Sequence, residues 1–248
     1  MSKILLAMIA GILILCSCSS PKSNDIPVII TDSENLTSAE ENYENHIDKF
    51  IFLGESTTYH LKNRGVLSGG QETLQVWGPK SGTLMLDQSI NECRIVYPET
   101  KEEIELSEAL KRKSPKYIMF TFGLNGATNF ISRGAPYFKY CYQKLIDTVK
   151  ENSKNTVIII NSCFPIAQNM DMSNYTITTK ELNDYINTIN IWAQELAKEN
   201  DLQYIDTASA LKNKDGFLKA EYQMNDGFHL NSTAYIKILD TIKKSPTT

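Results

Sequence analysis

Ser56 is the first residue of this sequence whose type and position could support chemistry. It follows residues 50–53, four apolar residues without polar alternation, which predict a short strand buried on both faces. Gly54 permits a sharp turn after that strand. The serine hydroxyl is then expected beyond the carboxyl end of a strand, where open α/β sheets bind ligands. Two interpretations remain: a nucleophile, or an ordinary serine that caps a helix.

A serine nucleophile needs a base within hydrogen-bonding reach and a group that orients this base. His229 has a suitable position, because it lies between the last predicted strand and the last predicted helix. Asp226 precedes it by three residues, so its carboxylate could accept a hydrogen bond from Nδ1 and leave Nε2 free to face Ser56. The alternative is that Asp226 caps the last helix and His229 is a surface residue. His46 belongs to the edge of the N-terminal segment, and His60 is expected to point away from the Ser56 hydroxyl.

Acyl transfer also needs hydrogen-bond donors aimed at the oxyanion that develops during the reaction. Asn125 follows the predicted central strand and offers a side-chain amide at the same edge of the sheet. Gly82 offers a backbone N–H that no side chain obstructs, and the N–H of Ser56 is a third candidate. Taken singly, Gly82 could be a turn glycine and Asn125 an ordinary strand-end residue. Their order along the chain favours an oxyanion hole.

The elements that would position these residues alternate between strand and helix. Strands are predicted at residues 49–53, 74–77, 116–122, 156–161 and 203–206, and helices at 102–113, 136–152, 179–200 and 230–243. Asn231 or Ser232 is predicted to cap the last helix. This alternation predicts an α/β fold, a three-layer α/β/α arrangement with a mostly parallel central sheet. Because parallel strands end at one edge, the segments that carry the candidate residues would meet there.

The chain resembles an SGNH hydrolase of the GDSL esterase/lipase superfamily. The matching segments are residues 54–56, 81–83, 123–126 and 226–229. The resemblance implies a flavodoxin-like fold and ester hydrolysis that needs neither a metal nor a cofactor. Two residues depart from the usual pattern: Glu55 stands where the family usually has Asp, and Gly126 stands where Asp often follows the asparagine.

The resemblance also implies a role for each candidate residue. Ser56 would be the nucleophile, His229 the general base and then acid, and Asp226 the residue that orients the imidazole. The oxyanion hole would consist of the N–H of Ser56, the N–H of Gly82 and the side-chain amide of Asn125. The aromatic residues beside these segments, Trp77, Tyr59 and Phe228, could stack on a sugar ring or simply pack in the core.

Composition and cysteine spacing exclude two classes of function. The formal net charge of −4 does not provide the basic domain that nucleic acid binding requires. The cysteines of the folded part, Cys93, Cys141 and Cys163, show no Cys-x-x-Cys spacing and no histidine partners for a zinc site. They are predicted to be single buried thiols, with one disulfide as the open alternative.

The N-terminal residues indicate the compartment. Residues 4–15 are apolar but too short for a comfortable membrane span, and Leu-Cys-Ser-Cys follows them. This pattern resembles a bacterial lipobox with Cys18 as the lipidated residue; an ordinary signal peptide is the alternative. We therefore expect a lipoprotein signal peptide at 1–18, a flexible acidic tether at 19–45 and one SGNH-hydrolase-like domain at 46–248.

These observations together predict a serine esterase outside the cytoplasm, anchored to the bacterial cell membrane. Its expected substrate is a small acyl ester, expected to be acetyl, on a carbohydrate or cell-wall glycan. Two alternatives remain open: a catalytically silent surface lipoprotein that binds glycan, and an O-acyltransferase that uses the same triad. The sequence makes no prediction of the oligomeric state.

Overall fold

Parallel strands form the centre of the structure, a computed structural model that describes residues 46–246. The strands are β1 (Phe50–Gly54), β2 (Val76–Trp77), β3 (Arg94–Val96), β4 (Glu103–Glu105), β5 (Tyr117–Thr121), β6 (Val157–Asn161) and β7 (Gln203–Ile205). The helices are α1 (Ser56–Asn63), α2 (Leu106–Arg112), α3 (Ala127–Arg133), α4 (Ala135–Asn152), α5 (Thr179–Glu199) and α6 (Ser232–Lys244). The five-stranded sheet has the order β2-β1-β5-β6-β7, and all its paired strands are parallel.

Helices cover both faces of this sheet, and each face has its own hydrophobic core. Successive side chains of β1 alternate between the two cores, as the pleat of a strand requires. Phe50 and Phe52 pack with buried residues of α1 and α6, whereas Ile51 and Leu53 pack with buried residues of α2 to α5. This arrangement confirms the predicted α/β class, three layers with a mostly parallel central sheet.

The elements of the main sheet and the three longest helices agree with the sequence prediction to within two residues at each end. Asn231 caps α6, because its side chain accepts a hydrogen bond from the N–H of Ala234. The α3 helix was not predicted. It begins after Gly126, which has a φ of +81°, and it ends before Gly134. Gly126 therefore occupies a left-handed position that favours glycine over the Asp that is usual there.

The helix predicted at 102–113 was wrong in its first part. Glu103–Glu105 forms β4, which pairs antiparallel with β3, and only Leu106–Arg112 is helical. Ile104 lies opposite the fully buried Ile95, and its two glutamate neighbours project to the other side of this small hairpin. The packing of one isoleucine thus overrides the helical propensity of the glutamates.

The sheet also determines where the candidate residues meet. The chain enters β1 at Phe50 and leaves it at Gly54, which pairs with Thr121 at the end of β5. A side chain at Gly54 would clash with the carbonyl oxygen of Thr121 and with Oγ1 of Thr58, so only glycine allows this close approach. The segments that follow β1 and β5 are thereby brought side by side at the carboxyl edge of the sheet.

Candidate active site

Ser56, His229 and Asp226 form one chain of hydrogen bonds at the carboxyl edge of the sheet. Nε2 of His229 lies 3.0 Å from Oγ of Ser56, and Nδ1 lies 2.8 Å from Oδ2 of Asp226. Oδ1 of Asp226 accepts hydrogen bonds from the backbone N–H groups of Phe228 and His229, at 3.1 and 2.9 Å. The carboxylate is therefore fixed on its own turn, and it directs the second imidazole nitrogen at the serine hydroxyl.

Ser56 reaches this position as the first residue of α1. Glu55 occupies the N-cap position in an extended conformation, and no side chain caps the helix. The alternative in which Ser56 serves only as a helix cap is therefore not realised. The serine side chain is half-buried and its hydroxyl lies against the imidazole of His229.

The turn that carries His229 is held by backbone contacts on both sides. The carbonyl oxygen of Gly227 accepts a hydrogen bond from the N–H of Ala167, and the N–H of Met224 donates to the carbonyl oxygen of His229. Gly227 has a φ of +80°, and a side chain there would come within 2.9 Å of Met170. These contacts fix the turn, so the imidazole position does not depend on a free loop.

The electrostatics of this turn suit an orienting carboxylate. Burial raises the pKa of Asp226, but hydrogen bonds from the backbone and the imidazole of His229 and from the backbone of Phe228 outweigh this effect and lower the pKa overall. An ionised carboxylate at this place stabilises the imidazolium that forms when His229 accepts a proton.

His60 contributes a contact that the sequence did not reveal. Its ring stacks on the ring of His229, with the centroids 4.2 Å apart and the planes inclined by 24°. Burial, followed by the nearby His229 and Arg64, lowers the pKa of His60 to about 4. A neutral ring therefore packs against the imidazole and limits its rotation. The four-residue spacing from Ser56 is the signal that could have placed both side chains on one helix face.

Two of the three predicted oxyanion donors converge on the hydroxyl of Thr83. The N–H of Ser56 donates to Oγ1 of Thr83 at 3.0 Å, and Nδ2 of Asn125 donates to the same oxygen at 2.9 Å. Gly82 differs from the prediction: its N–H donates to the carbonyl oxygen of Pro79 at 2.9 Å and closes a tight turn. The backbone donor expected at Gly82 is thus already engaged.

Glu55 joins the serine segment to the asparagine segment. It is 1% exposed, and its carboxylate accepts hydrogen bonds from three consecutive backbone N–H groups. Oε1 binds those of Gly123 and Asn125 at 2.9 and 3.1 Å, and Oε2 binds that of Leu124 at 3.2 Å. Burial raises the pKa of Glu55 to about 7, although the three hydrogen bonds act in the opposite direction. Glu55 therefore positions the segment that carries Asn125.

The remaining predicted residues are placed as follows. Trp77 is 1% exposed and packs in the core, so it is not available to a sugar, whereas Tyr59 and Phe228 are half-buried beside the site. Cys93, Cys141 and Cys163 are buried free thiols. The predictions for residues 1–18, for 19–45 and for Cys18 lie outside the described residues.

Two general features concern residues 46–246 alone. In that range no three His, Cys, Asp or Glu side chains are grouped in a way that could hold a metal ion. None of the helices described there combines the length and the apolar character that crossing a bilayer requires.

Comparison with known proteins gives one family match and several structural matches. The GDSL-like Lipase/Acylhydrolase family model matches residues 52–236, a range that contains the whole candidate site. No curated protein matches the chain. A structure from Streptococcus pneumonia named for platelet activating factor is 16% identical, covers 85% of this chain and 94% of its own, and has a TM-score of 0.55. A GDSL-like lipase from Bacteroides thetaiotaomicron is 13% identical, covers 86% and 96%, and has a TM-score of 0.50. At these identities the structural likeness concerns the fold alone.

Proposed function

Because the chain belongs to the GDSL-like lipase/acylhydrolase family and is therefore an ester-hydrolysing enzyme, we propose that Ser56, His229 and Asp226 are its catalytic triad. The observation that carries this proposal is the position of the His229 imidazole. It lies 3.0 Å from the serine hydroxyl through one nitrogen and 2.8 Å from a carboxylate through the other. A base within reach of a hydroxyl and held in one tautomer is what activates a serine nucleophile.

The proposed reaction proceeds in two half-reactions. Nε2 of His229 accepts the proton of Ser56 as Oγ attacks the acyl carbon and the electron pair of the carbonyl bond moves to its oxygen. The imidazolium then protonates the leaving alkoxide, and an acyl-enzyme remains on Ser56. Water then attacks the acyl carbon while His229 takes its proton. The bond to Oγ of Ser56 breaks, the imidazolium returns the proton to Oγ, and the carboxylic acid is released. The oxyanion of each step would form beside the segments that carry Ser56, Thr83 and Asn125.

Asp226→Asn is expected to lower kcat by about 10⁴-fold, the loss typical of a triad whose histidine adopts the wrong tautomer. The amide can keep the two backbone hydrogen bonds at Oδ1, while its NH₂ replaces the oxygen that faces Nδ1. Turnover of p-nitrophenyl acetate by the full chain measures the effect. Asp240→Asn, on the exposed side of α6, is the matched control and should retain wild-type kinetics. A loss below tenfold in Asp226→Asn would contradict the proposed role.

We further propose that the substrate is a small acyl ester, expected to be acetyl, on a carbohydrate or cell-wall glycan. The half-buried rings of Tyr59 and Phe228 beside the site support this proposal, since aromatic faces pack well against sugars. Phe228 lies close to the catalytic imidazole, with ring centroids 4.1 Å apart. A substrate that binds over this ring would place its ester near Ser56.

Acetate release from an acetylated polysaccharide tests the substrate proposal, with Ser56→Ala as the inactive control. In parallel, p-nitrophenyl acetate, butyrate and octanoate compare acyl lengths. We expect p-nitrophenyl acetate to be the best substrate of the three, and a preference for the octanoate ester would contradict the small-acyl proposal. Transfer of the acetyl group to an added oligosaccharide instead of water would indicate the O-acyltransferase. Glycan binding without turnover would indicate the catalytically silent module.

The cellular location is also a proposal. We propose that Cys18 carries a lipid that anchors the enzyme outside the cytoplasm, because residues 1–18 resemble a lipoprotein signal. Membrane fractionation of cells that express the full chain tests it. Cys18→Ser should move the protein out of the membrane fraction, and Cys16→Ser is the matched control that should not. Equal behaviour of the two variants would contradict lipidation at Cys18.

A further inference from the structure

Within the part of the chain that the structure describes, the hydroxyl oxygen of Thr83 receives two hydrogen bonds and donates none. It receives the N–H of Ser56 at 3.0 Å and Nδ2 of Asn125 at 2.9 Å. A hydroxyl group has two acceptor lone pairs and one O–H donor, so both lone pairs are occupied and the proton remains. Among residues 46–246 no group accepts that proton. Thr83 is half-buried at the edge of the site.

We propose that Thr83 is a catalytic residue whose hydroxyl donates a hydrogen bond to the oxyanion of the tetrahedral intermediate. The three donors expected from the sequence would then act differently: those of Ser56 and Asn125 support the oxygen of Thr83, and the N–H of Gly82 closes a turn on the carbonyl oxygen of Pro79. This inference rests on the proposed esterase function. Thr83 transfers no proton: as the bond between Ser56 Oγ and the acyl carbon forms, the carbonyl oxygen gains the electron pair and accepts the hydrogen bond.

The surroundings of Thr83 make this hydroxyl a strong and fixed donor. Two hydrogen bonds received by the oxygen polarise the O–H bond, because hydrogen bonds in a chain strengthen one another. A hydrogen bond to an oxyanion is also stronger than one to a neutral carbonyl, so the contact favours the transition state over the substrate. Hydrogen bonds also hold the backbone at Thr83. Oγ of Ser81 donates to the carbonyl oxygen of Thr83, and the N–H of the next residue, Leu84, donates to the carbonyl oxygen of Gly54.

The competing interpretation is that Thr83 fills an oxyanion hole made by Ser56 and Asn125 and must move away when substrate binds. The two interpretations predict opposite effects of removing the hydroxyl. Loss of a catalytic donor lowers kcat, whereas removal of an obstructing group leaves kcat unchanged or raises it. Thr83→Val removes the hydroxyl at nearly constant volume, Thr83→Ala also removes the bulk, and Thr83→Ser retains the hydroxyl.

The experiment measures kcat and KM of the full-length enzyme for p-nitrophenyl acetate. We expect Thr83→Val and Thr83→Ala to lose about 10²- to 10³-fold in kcat with little change in KM, as for the loss of one oxyanion donor. Thr83→Ser is expected to stay within about tenfold of wild type, which identifies the hydroxyl and not the methyl group as the active part. Thr188→Val, whose hydroxyl bonds only to the carbonyl oxygen of Asp184 one turn earlier, is the matched control.

Affinity for 1,1,1-trifluoroacetone provides a second measurement, since this ketone forms a tetrahedral oxyanion adduct with an active serine. Its affinity should fall in Thr83→Val by the same factor as kcat, which a general loosening of the fold would not produce. Should Thr83→Val fail to fold, Thr83→Cys places a weak thiol donor at the same position for comparison with Thr83→Ser.

Three results would overturn the inference. A Thr83→Val enzyme as active as wild type would show that the hydroxyl only occupies the hole. Equal activities of Thr83→Ser and Thr83→Cys would show that the hydroxyl proton has no role. If Ser56→Ala turns over p-nitrophenyl acetate as fast as the wild type, the proposed function is overturned, and the inference with it.

Discussion

Replacement of Ser56 by alanine is expected to lower kcat by about 10⁴- to 10⁶-fold, and replacement of His229 by alanine should have a similar effect. The serine hydroxyl supplies the bond that forms to the acyl carbon, and the imidazole 3.0 Å away is positioned to take its proton. Neither residue can act without the other. The double variant should therefore be no less active than either single variant. If the two residues acted independently, their losses in kcat would multiply in the double variant.

Turnover of p-nitrophenyl acetate by the full chain measures these losses, and circular dichroism verifies that the variants fold. Ser56 and His229 are only half-buried, so truncation at either position leaves the two cores intact. Ser132→Ala is the matched control, because its hydroxyl bonds only to a backbone carbonyl on the exposed side of α3. If Ser56→Ala retains more than about a hundredth of the wild-type turnover, Ser56 is not the nucleophile.

The second large effect is expected at Glu55. Glu55→Ala would leave the N–H groups of Gly123, Leu124 and Asn125 without their acceptors, and each unsatisfied buried donor costs about 1–3 kcal/mol. Removal of a buried carboxylate offsets part of this cost. We therefore expect the free energy of unfolding to fall by about 3 kcal/mol. Because the same loop positions Asn125, kcat should fall as well, by about 10- to 100-fold.

Glu55→Gln separates the hydrogen bonds from the charge. Its amide oxygen can keep the two bonds that Oε1 accepts, but its NH₂ would face the N–H of Leu124. The variant should be less destabilised than Glu55→Ala. Urea unfolding of both variants measures the difference. Equal stability of Glu55→Ala and the wild type would contradict the anchoring role.

Glu55 also makes stability depend on pH. Its pKa is about 7 in the folded chain, against an ordinary value of 4.5, so the folded chain holds this proton more tightly than the unfolded chain. The contribution of Glu55 to stability therefore falls as pH rises from about 4.5 to about 7, by about 3 kcal/mol, and is constant outside that range. Glu55→Gln should lose this slope. Unfolding free energies at pH 5 and pH 8 test it, and an identical pH dependence in both proteins would contradict it.

The sequence predicts the main sheet well because its three central strands, β1, β5 and β6, are largely apolar runs that are almost entirely buried. The sequence also predicts that Ser56, Asn125 and His229 lie at one edge of the sheet, because parallel strands all end at the same edge. The contacts that complete the site join residues far apart in the chain, such as Asn125 with Thr83 and His60 with His229. No local pattern encodes such contacts. The hairpin of β3 and β4 was missed for the same reason, because its short strands are defined by the pairing of the half-buried Ile104 with the buried Ile95.

The direction of β1 separates the active site from the point where the chain enters the domain. The chain enters this strand at Phe50, on one side of the domain, and Ser56 lies just past its far end. The proposed anchor at Cys18 would therefore join the domain at the end of β1 that lies away from the active site. The segment between Cys18 and residue 46 spans at most about 90–100 Å when fully extended. The enzyme could then reach esters within about that distance of the membrane surface.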